Sequence, residues 1–159
     1  MRLLSFLVAI GIFGLDLSTK WYVKNSAALH YHPVIDGFFT LHYVRNEGIA
    51  FGLFHTLESA WKPIVLSALA VMAIAVVFYY LWTTPRQYTR LFWSFGFLLG
   101  GILGNFTDRL FHGFVVDFIE LHWGSLFYWP TFNVADAAIT LGVFAILWES
   151  FFGSAWKEP

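Results

Sequence analysis

Residues 63–82, PIVLSALAVMAIAVVFYYLW, form a run of twenty without a single formal charge. As a helix rising about 1.5 Å per residue, such a run crosses a hydrocarbon core of about 30 Å. The chain is therefore expected to sit in a bilayer, and its composition agrees. Hydrophobic residues make up 58% and aromatics 21%, mean hydropathy is +0.66, and only 12% of residues are charged, roughly half the fraction usual in a soluble domain. These 159 residues are too poor in polar side chains to cover a water-facing surface. A formal net charge of −1 leaves no basic field for nucleic acid. The absence of cysteine excludes disulfides, thiolate catalysis, thiolate metal sites and lipidation of this chain on cysteine.

Three further apolar stretches accompany that run. Residues 91–107 are uncharged, and Gly96, Gly100, Gly101 and Gly104 are spaced for close approach of a second helix, with lipid exposure as the alternative. Residues 137–148 reach spanning length if the helix begins near Asn133 and runs to Phe152, which places Asp136 inside it. Residues 3–15 behind Arg2 have the look of a signal-peptide core. No small-residue cleavage site follows promptly, and Asp16 and Lys20 stand at i and i+4, where opposite charges pair on one helix face. An uncleaved span is favoured. Spans are thus expected at about 3–24, 63–82, 91–110 and 133–152, in a single domain 1–159 with both termini on one side. The segment 83–90 carries Arg86 and Arg90 without an acid, so that side is read as cytoplasmic.

The connection 25–61 contains FFTLHYVR at 38–45, then Asn46-Glu47-Gly48, then IAFGLF at 49–54. β-Branched and aromatic residues flanking a turn predict a hairpin in a β region of about 34–54. Two strands alone are marginal in water, so the hairpin is expected on the membrane surface, burying Phe38, Phe39, Tyr43, Phe51 and Phe54. Residues 55–61 are expected to add a short interfacial helix. The fold class is then an all-α membrane protein with four transmembrane helices, a small extracytoplasmic β-hairpin or sheet and a short interfacial helix.

A carboxylate at membrane depth costs at least ~2.5–3.5 kcal/mol. Two acid-bearing clusters nevertheless stand at one level, GNFTDRLFHGFVVDFIE at 104–120 and FNVADAA at 132–138. Asn133 before a helix, with Asp136 in its first turn, matches a capping pattern. Capping does not explain why Asp117, between Val116 and Phe118, should share that level. If Asp117 and Asp136 face each other at ~4 Å, repulsion at an effective dielectric of ~20 is about 4 kcal/mol, or roughly three pKa units. One acid then stays protonated near neutrality. The ionised member deprotonates a water while the protonated one hydrogen-bonds a scissile carbonyl, the aspartic-protease division of labour.

Other polar residues admit two readings each. Asn105, Asp108 and Arg109 share a helix face, either as an orienting network or as chemistry. Asp16 and Lys20 are helix-anchoring or site-supporting. Asn46 is a turn residue before Gly48 or a substrate ligand. The histidines at 30, 32, 42, 55, 112 and 122 have no metal-site spacing, so no metal is expected. Ser5, Ser67 and Ser94 lie in apolar runs, where bonding back to their own helix is the default.

Five blocks in this chain, DLSTK at 16–20, VRNEGIAFG at 44–52, GGILGNFTDR at 100–109, GFVVDFI at 113–119 and FNVADAAIT at 132–140, occur in an order that resembles the lipoprotein signal peptidase (signal peptidase II) family. The resemblance implies a four-span aspartyl peptidase of the bacterial cytoplasmic (inner) membrane. Its active site would lie near the extracytoplasmic face, and it would cleave N-terminal to the diacylglyceryl-modified cysteine of prolipoproteins. By that likeness Asp117 and Asp136 form the catalytic dyad, and Asn46, Asn105, Asp108, Arg109, Asn133, Asp16, Lys20 and Gly48 support the site or bind substrate. It implies no cofactor, lipid-modified prolipoproteins and membrane lipids as partners, no nucleic acid, and a monomer. Two rivals remain, a proton-coupled transporter with its acids spread through the bilayer and a structural subunit indifferent to loss of Asp117 or Asp136.

Overall fold

The computed structural model describes residues 1–48 and 62–153. In chain order these form α1 (Arg2–Asn25), a 3-10 turn (Ala27–Leu29), β1 (Tyr31–Ile35), β2 (Phe39–Asn46), α2 (Lys62–Thr83), α3 (Thr89–His112), β3 (Val115–Trp123), β4 (Phe127–Tyr128) and α4 (Val134–Phe152).

Three stretches, Arg2–Asn25, Ile64–Thr83 and Val134–Phe152, are long and apolar enough to cross a membrane. They leave large apolar side chains exposed, among them Leu3, Leu7, Ile10, Ile64, Val71, Phe144 and Phe151. A surface of this kind matches acyl chains rather than water. Helix α3 is the centre of the bundle and packs on α1, α2 and α4. Its buried face carries Leu91, Phe92, Phe95, Leu98 and Leu99, followed by Gly100, Gly101, Gly104, Asn105 and Asp108. Glycines and polar residues dilute its hydropathy because they meet neighbouring helices rather than lipid.

The glycine spacing on α3 serves close approach. A Cβ on Gly100 would lie 2.7 Å from the Ala9 carbonyl oxygen and 2.7 Å from Ile12 Cβ, so the α1 backbone occupies the space a side chain would need. Ser5 strengthens this contact. Its hydroxyl donates to the Phe92 carbonyl at 2.6 Å, crossing between helices, whereas Ser94 bonds back to Arg90 O at 3.1 Å. The default expected for both serines thus holds only for Ser94, because Ser5 lies on the α1 face turned toward α3. Gly100→Val should destabilise the detergent-solubilised protein by about 1–3 kcal/mol through overpacking, read as a lower melting temperature. Gly11, with open space at its Cβ position, should accept valine with little change.

The strands form one antiparallel sheet in the order β1-β2-β3-β4. Residues 49–54, the second strand of the expected hairpin, lie outside the described residues, as do the proposed interfacial helix at 55–61, Phe51 and Phe54. Strand β2 pairs with β1 across a turn containing Gly37, and with β3 in the register Phe39↔Leu121, Val44↔Asp117 and Asn46↔Val115. The β region therefore begins at Tyr31 and takes in residues the sequence attaches to the third span. The cause is Gly113. It adopts φ 78, donates its N–H to Arg109 O at 3.0 Å and ends α3, a left-handed C-cap that suits glycine. The β-branched Val115 and Val116 then start a strand that doubles back beside the helix end.

The peptide of Phe132 docks on this strand, accepting from Ile119 N at 2.8 Å and donating to Ile119 O at 3.0 Å. That bridge seats the start of α4 beside Asp117. At the other end of the bundle, Arg2 donates to Leu81 O at 3.2 Å and Trp82 O at 2.8 Å, tying the start of α1 to the end of α2.

Candidate active site

Asp117 is 2% exposed, flanked on β3 by the buried Val115, Val116 and Phe118. Both of its oxygens accept bonds from asparagine side chains. Asn133 Nδ2 donates to Oδ1 at 2.7 Å, and Asn46 Nδ2 donates to Oδ2 at 2.9 Å. Asp136 stands half-buried in the first turn of α4. Its Oδ1 accepts from Asn105 Nδ2 at 2.7 Å, and its Oδ2 from the Asn133 backbone N–H at 3.2 Å. Asn133, fully buried, therefore donates to both carboxylates, through its side chain to one and its main chain to the other.

The capping pattern is present too. Asn133 Oδ1 accepts from Asp136 N at 2.9 Å, completing a capping box with the bond back to Asp136. Capping consumes only one oxygen of each side chain. What remains, Asn133 Nδ2 and Asp136 Oδ1, is turned to Asp117 and Asn105, so the cap and the polar site are built from the same residues.

Each asparagine amide is oriented by a donor on its oxygen. Gly48 N donates to Asn46 Oδ1 at 2.9 Å, Lys20 Nζ to Asn105 Oδ1 at 2.9 Å, and Asp136 N to Asn133 Oδ1. A side-chain amide offers acceptor and donor on opposite atoms, so all three NH2 groups face carboxylates. Behind them lies a buried ion cluster. Lys20 Nζ stands 2.7 Å from Asp16 Oδ2 and 3.1 Å from Asp108 Oδ2. Asp16 Oδ1 accepts from Ala135 N at 2.9 Å, and Asp108 Oδ2 from Val116 N at 3.0 Å. Gly104 makes room for this cluster, because a Cβ there would collide with the Asp16 carboxylate. Arg109 donates to Asn105 O and Gly48 O, each at 3.4 Å, and its charge acts on Asp136, Asp117 and Asp108.

Burial pushes the Asp117 carboxyl up from its ordinary 3.8 to about 7, and the charge of Asp136 adds to the rise; the bonds from Asn46 and Asn133 and the charge of Lys20 oppose it. The two carboxyls are thus electrostatically linked. A cleft of about 480 Å³ opens beside them, lined by Asn46, Asn105, Arg109, Asp136, Trp129, Phe132 and Thr140 among others. Asp136 faces this cleft directly, while Asp117 lies behind the lining with Asn46 at its cleft side.

All ten residues singled out from sequence gather in this one constellation. Asn46 has the turn role, accepting from Gly48 N, and in addition donates to Asp117. Sequence reasoning missed the cleft wall 129–132 (WPTF), which carries no charge to mark it, and His112, whose Nδ1 is 3.4 Å from Asp108. The i,i+4 spacing of Asp108 and His112 was the available signal for the latter.

Comparison with known proteins places this arrangement. The family described as "Signal peptidase (SPase) II" matches residues 8–152. The lipoprotein signal peptidase of Francisella tularensis subsp. novicida (strain U112) is 37% identical over 95% of this chain and 93% of its own length. That of Symbiobacterium thermophilum is 40% identical over 89% and 90%. Two solved structures, each titled a bacterial membrane enzyme, superpose with TM-scores of 0.79 and 0.81 at 28% and 26% identity. The first covers 98% of this chain and 93% of the other, the second 94% of each. With a match of this extent and identity, the chain belongs to the signal peptidase II family of proteases.

Proposed function

We propose that this chain removes signal peptides from diacylglyceryl-modified prolipoproteins, cleaving N-terminal to the lipidated cysteine as an aspartyl endopeptidase of the bacterial cytoplasmic membrane. The relatives' shared name supports the substrate class. The observation that carries the mechanism is Asn133 bonded to both Asp117 and Asp136 beside an open cleft. Helix α3, with 24 residues, is about 36 Å long and serves as the fourth span. Arg2, Arg86 and Arg90 then mark the cytoplasmic end, and the aspartates lie toward the extracytoplasmic face.

In this reading Asp136 takes a proton from a water in the cleft, and the water oxygen attacks the scissile carbonyl carbon. The Asp117 proton is hydrogen-bonded to the carbonyl oxygen as negative charge develops there. Collapse breaks the C–N bond, and the proton held by Asp136 passes to the departing cysteine amine. Both carboxyls return to their starting states. Substrate reaches Asp117 by taking the place of the Asn46 bond on its cleft side. Arg109 and Gly48 hold Asn46 near the scissile bond, and the signal helix and acyl chains stay in lipid.

The test uses purified protein with two forms of one precursor, lipidated and unlipidated. Mass spectrometry should find the new N-terminus at the cysteine of the lipidated form alone. Cleavage of neither form would overturn the proposal. Because Asp117 must be protonated and its carboxyl titrates at about 7, kcat/KM should fall about tenfold per pH unit above that point. A rate that stays level to pH 9 would remove Asp117 from the acid role.

A further inference from the structure

Lys20 is 2% exposed, and an ammonium so deeply buried is costly. It has three donors, and three acceptors surround it, Asp16 Oδ2 at 2.7 Å, Asp108 Oδ2 at 3.1 Å and Asn105 Oδ1 at 2.9 Å. Buried ion clusters rarely hold helices together better than apolar side chains of the same volume. Packing α1 on α3 therefore does not account for the charge. The partners of the cluster do. Asp16 grips the N–H of Ala135, immediately before Asp136, and Asp108 grips the N–H of Val116, immediately before Asp117. A donor-only ammonium, seconded by Asn133 Nδ2 at 3.1 Å, on the oxygen of Asn105 and an acceptor-only carboxylate on its nitrogen leave the amide a single orientation.

We propose that Lys20 is a positioning residue for cleavage: its ammonium fixes the Asn105 amide with the NH2 on Asp136, and through Asp16 and Asp108 it sets both reacting segments in mutual register. This rests on the reading of Asp117 and Asp136 as the reacting pair. The residue does not line the cleft. Without its charge, Asn105 Oδ1 keeps only the Asn133 Nδ2 donor at 3.1 Å, and Asp16 and Asp108 repel across the space the ammonium held.

The cluster is also reachable without passing through the cleft. A second cavity of about 420 Å³, lined by Lys20, Trp21, Lys24, Asp108, His112 and Val116 among others, shares no lining residue with the cleft. Truncation of Lys20 would extend this cavity to the two carboxylates, forming a site for a small primary ammonium ion.

The experiment compares wild type, Lys20→Met, Lys20→Ala, Asp117→Asn and Asp136→Asn in cleavage of a lipidated precursor, with a thermal melt of each. Lys20→Met keeps the volume and removes the charge. It should lower kcat about 100-fold, the scale of a misplaced reacting group, with KM within about threefold because the cleft wall is intact. Lys20→Ala should lose at least as much and regain at least about tenfold with n-propylammonium, while 1-propanol restores nothing. Lys24→Met, in the same cavity, should cleave normally and ignore the amine. Cleavage by Lys20→Met within about threefold of wild type overturns the proposal, as does a folded Lys20→Ala unresponsive to the amine. If the two aspartate variants also cleave normally, the reading of the dyad has failed. If they are inactive and Lys20→Met is not, only the role given to Lys20 has failed.

Discussion

Asp136→Asn and Asp117→Asn should each lower kcat by about 10³-fold or more, and the double variant should lose little beyond the worse single one, because two groups acting as a unit are not additive. In the proposed mechanism Asp136→Asn leaves no base for the water proton. It also keeps an oxygen that can accept from Asn133 N, so the capping box that starts α4 survives. Asp117→Asn leaves no acid for the carbonyl in that mechanism and remains isosteric between Asn46 and Asn133. Initial rates and thermal melts on the same preparations separate lost chemistry from lost structure. Cleavage by either folded variant within about tenfold of wild type would contradict the dyad and favour a structural subunit.

The second large effect is on stability. Asp117 has a folded-state pKa of about 7 against an ordinary 3.8, so between these values the folded protein holds a proton that the unfolded chain has released. Stability from this group is complete below about pH 4 and is lost as pH rises to about 7, by about 4 kcal/mol in all. Thermal melts of wild type should therefore fall across that window. Asp117→Asn has no such proton to lose, so its difference from wild type should grow with pH and then level off. A difference independent of pH would mean that Asp117 is not raised. The site thus carries a cost to folding that the proposed acid role of Asp117 requires.

The apolar periodicity made the helices legible. Four helices cover Arg2–Asn25, Lys62–Thr83, Thr89–His112 and Val134–Phe152, where unbroken apolar runs or charges at i,i+4 spacing stand in the sequence. The Asp16–Lys20 pair was readable for the same reason, since a helix alone brings those groups together. Strand pairing was not, because β2 meets β3 across a separation that no local pattern encodes. Strand β1 hides itself further. Pro33 weakens its strand signal, yet β1 is the edge of the sheet, where proline is tolerated. The site lay between these extremes. Asp117 and Asp136 stood out because acids in an apolar setting are costly, but their linkage runs through Asn133 and the main chain of Val116 and Ala135. Backbone donors have no sequence signature. The ionisable residues Asp16, Lys20, Asp108, Arg109, Asp117 and Asp136 form one connected cluster rather than a file through the bundle, which a proton relay across the bilayer would need.

Carbon-13 NMR of the protein labelled at aspartate Cγ, titrated in wild type and in Asp136→Asn, tests most directly whether the charge of Asp136 acts on Asp117. Asp117 should titrate near 7 in wild type and at a lower pH once the neighbouring charge is gone, with burial still holding it above the ordinary 3.8. The same midpoint in both proteins would mean that the carboxyls do not interact, and the proposed division of acid and base between them would be wrong.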